Sequence, residues 1–180
     1  PVPGVQLATG RAELRYRARE DVMIMTFPQG TTVAGVFTRN RCPGAPVDWC
    51  RTALARARGK ARGLVVTAGN ANVFTGRAGR ETCEATAAVM AELLGCKPRE
   101  IFLASTGVIG ERVPTEKLTG ALPGLLPSLS EGNWHAAARA IMTTDTFPKA
   151  ATRTARIGDT TVTINGIAKG SGMIAPDMAT

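Results

Sequence analysis

The chain has 180 residues, 44% apolar and 20% charged, with a net charge of +8. That is apolar material enough for one domain with its own core and too much for a disordered chain. No run of 18 apolar residues occurs, so no membrane-spanning helix is expected.

Asp21 to Phe27, "DVMIMTF", and Thr31 to Thr38, "TTVAGVFT", are rich in apolar and β-branched residues. With the turn chemistry of Pro28 to Gly30 between them, they predict a hairpin. A helix is expected from about Val47 to Ala57. Gly63 to Gly69, "GLVVTAG", is a short apolar run between glycines and predicts a buried strand. A Gly- and Asn-rich loop follows to Gly76. The periodic pattern of Arg80 to Leu94 predicts a helix, with Cys83, Ala87, Met90 and Leu94 on one face and Gly95 placed to cap its end. Glu100 to Thr106, "EIFLAST", predicts a second buried strand. Strand, helix and strand in this order predict a parallel pair.

A further helix is expected near Pro114, where proline suits a first turn. Leu122 to Asn133 reads as a proline-punctuated connection. A helix from about Trp134 to Met142 would bury Trp134, Ala137, Ala138 and Ile141. Thr160 to Ala168 alternates and predicts a strand. Strands and helices interleave, so the expected class is mixed α/β, a single domain over residues 1–180 without repeats or a linker.

Cys42, Cys50, Cys83 and Cys96 show no C-x-x-C spacing, and His135 is the one histidine. A zinc site is therefore not expected. Four scattered cysteines read as reduced thiols, which predicts a cytoplasmic protein. The densest basic stretch, "RTALARARGKARG", carries Arg51, Arg56, Arg58, Lys60 and Arg62 without an interleaved aromatic. It predicts a solvated helix face running into a basic loop. A nucleic-acid-binding module is the alternative that this stretch would support.

"GSGMIA", Gly170 to Ala175, matches a loose dinucleotide-binding pattern, but Pro176 stands where the receiving helix would run. Three polar, glycine- or threonine-rich segments remain: "STGVIG" from Ser105, "MTTDT" from Met142 and the terminal "KGSGMIAPDMAT" from Lys169. Taken singly, each reads as a cap or turn. Together with "AGVFTRN" and "GNAN", in this order and spacing, they resemble the ornithine acetyltransferase family, the glutamate N-acetyltransferases of arginine biosynthesis. The resemblance runs from about Ala34 to Thr180.

The resemblance implies a layered sheet-and-helix sandwich of the self-processing type. It implies a precursor that cuts itself between Ala179 and Thr180, leaving an α chain that ends at Ala179. Thr180 would open the β chain as catalytic nucleophile, and the two chains would assemble as a heterotetramer of two α and two β chains. Thr106 and Gly107 would form the oxyanion hole. Thr143, Lys169 and Thr180 would bind substrate. The reaction implied is ping-pong transfer of acetyl from N-acetylornithine to glutamate, with acetyl-CoA a further donor in bifunctional members and no metal or redox cofactor.

These residue types suit that chemistry. A threonine hydroxyl needs a base, and an N-terminal amine with a pKa near about 8 can supply one. Small Ala179 and the nearby glycines suit the tight turn of a self-cleaving peptide. Aminopeptidases of a related self-processing fold are the alternative within enzymes; they would hydrolyse rather than transfer.

Overall fold

The computed structural model describes residues 1–172. Four strands form the main sheet: β1 (Gln6–Gly10), β2 (Val22–Thr26), β3 (Gly63–Asn70) and β4 (Ile101–Val108), side by side in that order. β1 and β2 are antiparallel, as are β2 and β3. β3 and β4 run parallel, as the crossover predicts, with α2 (Gly76–Leu93) between them.

β2 alternates its side chains between two cores. Val22 and Ile24 face one side, with Val65, Ile101 and Leu103 from the neighbouring strands. Cys83, Ala87 and Met90 of α2 cover them, joined by Leu118, Leu122 and Leu125 of α3 (Thr115–Leu125). Met23 and Met25 face the other side with Leu7, under Ala137, Ala140 and Ile141 at α4 (Trp134–Ala140). A strand covered on both faces reads as a continuous apolar run, which is why "VMIMT" carries no polar alternation. α1 (Ala45–Arg56) lies along the outer edge of β4. There Trp49 Nε1 donates to the Ile101 carbonyl at 2.8 Å and the Cys50 thiol to the Leu103 carbonyl at 3.0 Å.

The end of α2 follows its sequence signal. Gly95 takes φ +59°, its N–H donates to Glu92 O, and Cys96 N–H reaches back to Ala91 O. This pair of bonds is the left-handed glycine stop expected of that position.

A second, two-stranded antiparallel sheet stands apart: β5 (Lys149–Ile157) and β6 (Thr160–Ala168), turning at Gly158. Its strands are largely exposed, and α4 is the helix it packs against.

Several expectations are corrected. Thr31 to Thr38 is not a strand; only Thr32 makes a bridge, to Lys60. Both edges of β2 are already taken by β1 and β3, so no ladder is open to it. Val33 and Phe37 instead pack against the cluster of Cys50, Ala53, Ala61 and Phe102. β1 and β5 had no prediction. α2 begins four residues earlier than its periodicity suggests, through Gly76 and Gly79. The expected connection from Leu122 is helical to Leu125, with Pro123 inside α3, followed by a 3₁₀ turn at Leu126–Ser128. Pro114 sits just before the first helical residue, at the cap position.

The two-sided core sets a stability expectation. Met90 is fully buried between α2 and the sheet. Met90→Ala in the full-length protein is expected to cost about 2–5 kcal/mol, read as a lower midpoint in urea unfolding.

Candidate active site

β4 is an edge strand, and hydrogen-bond parity tells which of its groups face outward. The carbonyls of Glu100 and Val108 accept from Arg62 and Ala71, on the β3 side. Ile101 O and Leu103 O accept from α1, on the outer side. Alternation along the strand therefore turns the backbone groups of Ser105 and Gly107 outward as well. α1 seals the edge only as far as Leu103. Beyond it opens a cleft of about 900 Å³, lined by residues that include Thr106, Gly107, Thr143 and Lys169.

Gly107 lies opposite Gly69 in the parallel ladder. Both have positive φ, +131° and +125°. A Cβ on Gly107 would stand 2.2 Å from the carbonyl carbon and oxygen of Gly69, so neither the dihedral nor the space admits a side chain.

Three of the sequence-derived candidates meet directly. Lys169 Nζ donates to Thr106 Oγ1 at 2.7 Å and to Thr143 Oγ1 at 2.6 Å. They come from three places: the end of β4, the loop after α4, and the residue following β6. An ammonium has three donors. Among the described residues, two are spent on these hydroxyls and one is left for a ligand. Because Lys169 can only donate, both threonine hydroxyls accept from it and keep their own protons to give. Burial holds the Lys169 amine below its ordinary pKa, opposed by the charge of Asp145 and reinforced by that of Lys149. Ala179 and Thr180, the expected cleavage site and nucleophile, lie outside the described residues.

Sequence reasoning missed Asp145. Its side chain is fully buried. It accepts from Thr143 N at 3.1 Å, from Lys149 Nζ at 2.8 Å and from Gly170 N, and it lies 4.0 Å from Lys169 Nζ. Burial alone would raise its pKa. The hydrogen bonds from Lys149, Gly170 and Thr143, with the charge of Lys149, hold the carboxyl well below the usual range. The available signal was an acid inside "MTTDT", two residues from a candidate threonine.

Other titratable groups are accounted for by structure. The four cysteines are free thiols, and burial, chiefly, pushes Cys83 up to about 12, so it is no nucleophile. In the basic stretch, Arg51 donates to Thr38 O, Lys60 to Gly30 O, and Arg62 to Phe27 O and Leu94 O. Among the described residues no group of His, Cys, Asp and Glu could hold a metal ion, and no helix is long and apolar enough to cross a membrane.

Comparison with known proteins decides the family: the ArgJ family model matches residues 6–180. The chain belongs to the ArgJ family. ArgJ relatives include the arginine biosynthesis bifunctional proteins ArgJ of Gluconobacter oxydans, 58% identical, and of Bradyrhizobium diazoefficiens, 56% identical, each over 99% of this chain. The chain spans 42% and 43% of the length of those two relatives. The crystal structure of arginine biosynthesis bifunctional protein ArgJ from Bacillus halodurans superposes with a TM-score of 0.90 at 32% identity, covering 98% of this chain and 91% of that one. Ornithine acetyltransferase from Mycobacterium tuberculosis, complexed with ornithine, superposes at 0.83 and 32% identity, covering 97% and 92%. The mixed α/β architecture is therefore that of ArgJ proteins.

Two glycines of this ArgJ chain, one on the sheet edge and one in a helix, yield a contrast. Gly107→Ala is expected to cost more than about 2 kcal/mol, from strain and clash together. Gly120→Ala, inside α3 with nothing within 4 Å, is expected to be neutral or to gain about 0.5–1 kcal/mol. Urea midpoints of the two variants check both signs.

Proposed function

We propose that this chain is the α-chain portion of an ornithine acetyltransferase, moving acetyl from N2-acetyl-L-ornithine to L-glutamate. The observation that carries the reading is the contact of Lys169 with Thr106 and Thr143 at the open end of β4, beside the outward edge of Gly107. The names of the ArgJ relatives, and the ornithine held by the Mycobacterium tuberculosis protein, support the same substrate class.

In the first step the Thr180 hydroxyl attacks the Ala179 carbonyl. The peptide shifts to an ester, and water opens it to an Ala179 carboxylate and a free Thr180 amine. In the second, the Thr180 hydroxyl gives its proton to that amine and attacks the acetyl carbonyl of N-acetylornithine. The amide C–N bond breaks, ornithine leaves with the proton, and acetyl-threonine remains. The glutamate amine then attacks the ester and takes the acetyl group.

Each attack builds an oxyanion. The Thr106 hydroxyl, accepting from Lys169, keeps its hydrogen for that oxygen, and the Gly107 N–H is the second donor. Lys169 and Thr143 recognise the polar end of the amino-acid substrate, the ammonium pairing with its α-carboxylate. Only protons and an acetyl group move, so the chemistry calls for no metal or redox cofactor; acetyl-CoA is a candidate second donor. The remaining groups come from a β chain of the same precursor, in a heterotetramer of two α and two β chains. The proposed location is the cytoplasm, and the proposed extent of the α chain is a single domain.

The test uses the full-length protein. Thr180→Ala is expected to give one uncut band on a denaturing gel and no N-acetylglutamate from N-acetylornithine and glutamate. Normal cleavage in that variant, or peptide hydrolysis in place of transfer by the unaltered protein, overturns the reading. Thr106→Ala is expected to slow both cleavage and transfer by about a hundredfold, the cost of one oxyanion donor.

A further inference from the structure

We propose that Asp145 is the positioning residue of this site: it sets where Lys169 stands against Thr143 and places its negative charge 4.0 Å from that amine. The proposal rests on the reading of Lys169 as the carboxylate-binding group.

One carboxylate holds three segments. Oδ2 accepts from Thr143 N, fixing the loop after α4. Oδ1 accepts from Lys149 Nζ, at the start of β5, and from Gly170 N, just past the end of β6. The hairpin register puts Lys149 opposite Ala168, so both of its strands are rooted at this one group. The strands themselves are mostly exposed, with Ile157 and Ile164 more than half accessible. A hairpin of two strands has little stability of its own. The place of Lys169, one residue beyond β6, thus depends on the clamp at its root.

The charge matters as much as the geometry. Lys149 and Lys169 both approach Asp145, at 2.8 and 4.0 Å. Without the carboxylate, two ammoniums would face each other in a partly buried site. Desolvation and the Lys149 charge both favour loss of the Lys169 proton, and Asp145 opposes them. The other charged groups near this loop line a neighbouring pocket: Arg11, Arg139 beside Glu20 at 3.9 Å, and Arg19, which donates to Met142 O. Thr106 faces Lys169 from β4 with an uncharged hydroxyl. An asparagine at 145 would supply one acceptor where two are used, and no charge.

The sign follows. A neighbouring carboxylate raises a lysine pKa, so Asp145→Asn lowers that of Lys169, and its proton is lost at lower pH. Lys149→Met removes a repelling cation and raises it. The experiment is a pH series of Lys169 acetylation by acetic anhydride in the full-length protein, followed by mass spectrometry, since only the neutral amine reacts. The Lys169 midpoint is expected to fall by about one pH unit in Asp145→Asn and to rise in Lys149→Met. The alkaline limb of kcat/KM for N-acetylornithine should move the same way in each variant. Shifts of one sign in both variants, or none, overturn the proposal. If Asp145→Asn does not fold, an unshifted or lowered midpoint in Lys149→Met overturns it alone. Failure of the unaltered protein to transfer acetyl overturns the assigned reaction and leaves the Lys169 titration readable.

Discussion

The outer edge of β4 is hydrogen-bonded for half its length. Trp49 and Cys50 of α1 satisfy the carbonyls of Ile101 and Leu103, and the helix reaches no farther. An edge strand left bare invites wrong pairing, so proteins usually cover it. Here the covered half joins the strand to the core, and the bare half becomes the wall of the cleft. Thr106 and Gly107 sit on that bare half, and Thr143 and Lys169 line the cleft beside it. The glycine pair at its end lets two backbones approach where side chains would collide, which brings the Gly107 peptide to the cleft surface.

The second constraint is electrostatic. The site gathers Lys149 and Lys169 around one buried carboxylate. A buried charge is tolerated only when it is paired and hydrogen-bonded, and Asp145 has backbone donors on two segments as well as a lysine. It therefore works as a fastener between the loop after α4 and the root of the exposed hairpin. Part of the basic stretch serves a similar end elsewhere. Arg51, Lys60 and Arg62 satisfy carbonyls that turns and strand ends leave open.

The elements legible in the sequence were those held by local rules. α2 carries an apolar stripe and a glycine stop; β3 and β4 are apolar runs between glycines; β6 alternates. The misreadings share a cause. The segment after Gly30 has the composition of a strand, but strand formation needs a partner edge, and β2 had none to offer. β1 and β5, "QLATG" and "KAATRTARI", lack a strong pattern because one is short and the other is exposed on most of its residues. Asp145 escaped notice because, apart from Thr143 N, the groups it holds lie 4 to 25 residues away.

The sequence by itself determined the mixed α/β class, the parallel crossover, the core face of α2 and the set of polar residues worth watching, because each follows from periodicity, capping or a run of motif residues. The tertiary structure alone decided which strand edge stays open, which segments pair, and that Thr106 and Thr143 meet at the Lys169 amine beside a buried carboxylate. Those outcomes depend on competition for backbone hydrogen bonds and on charges brought together from distant positions. Neither is written in any one stretch of chain.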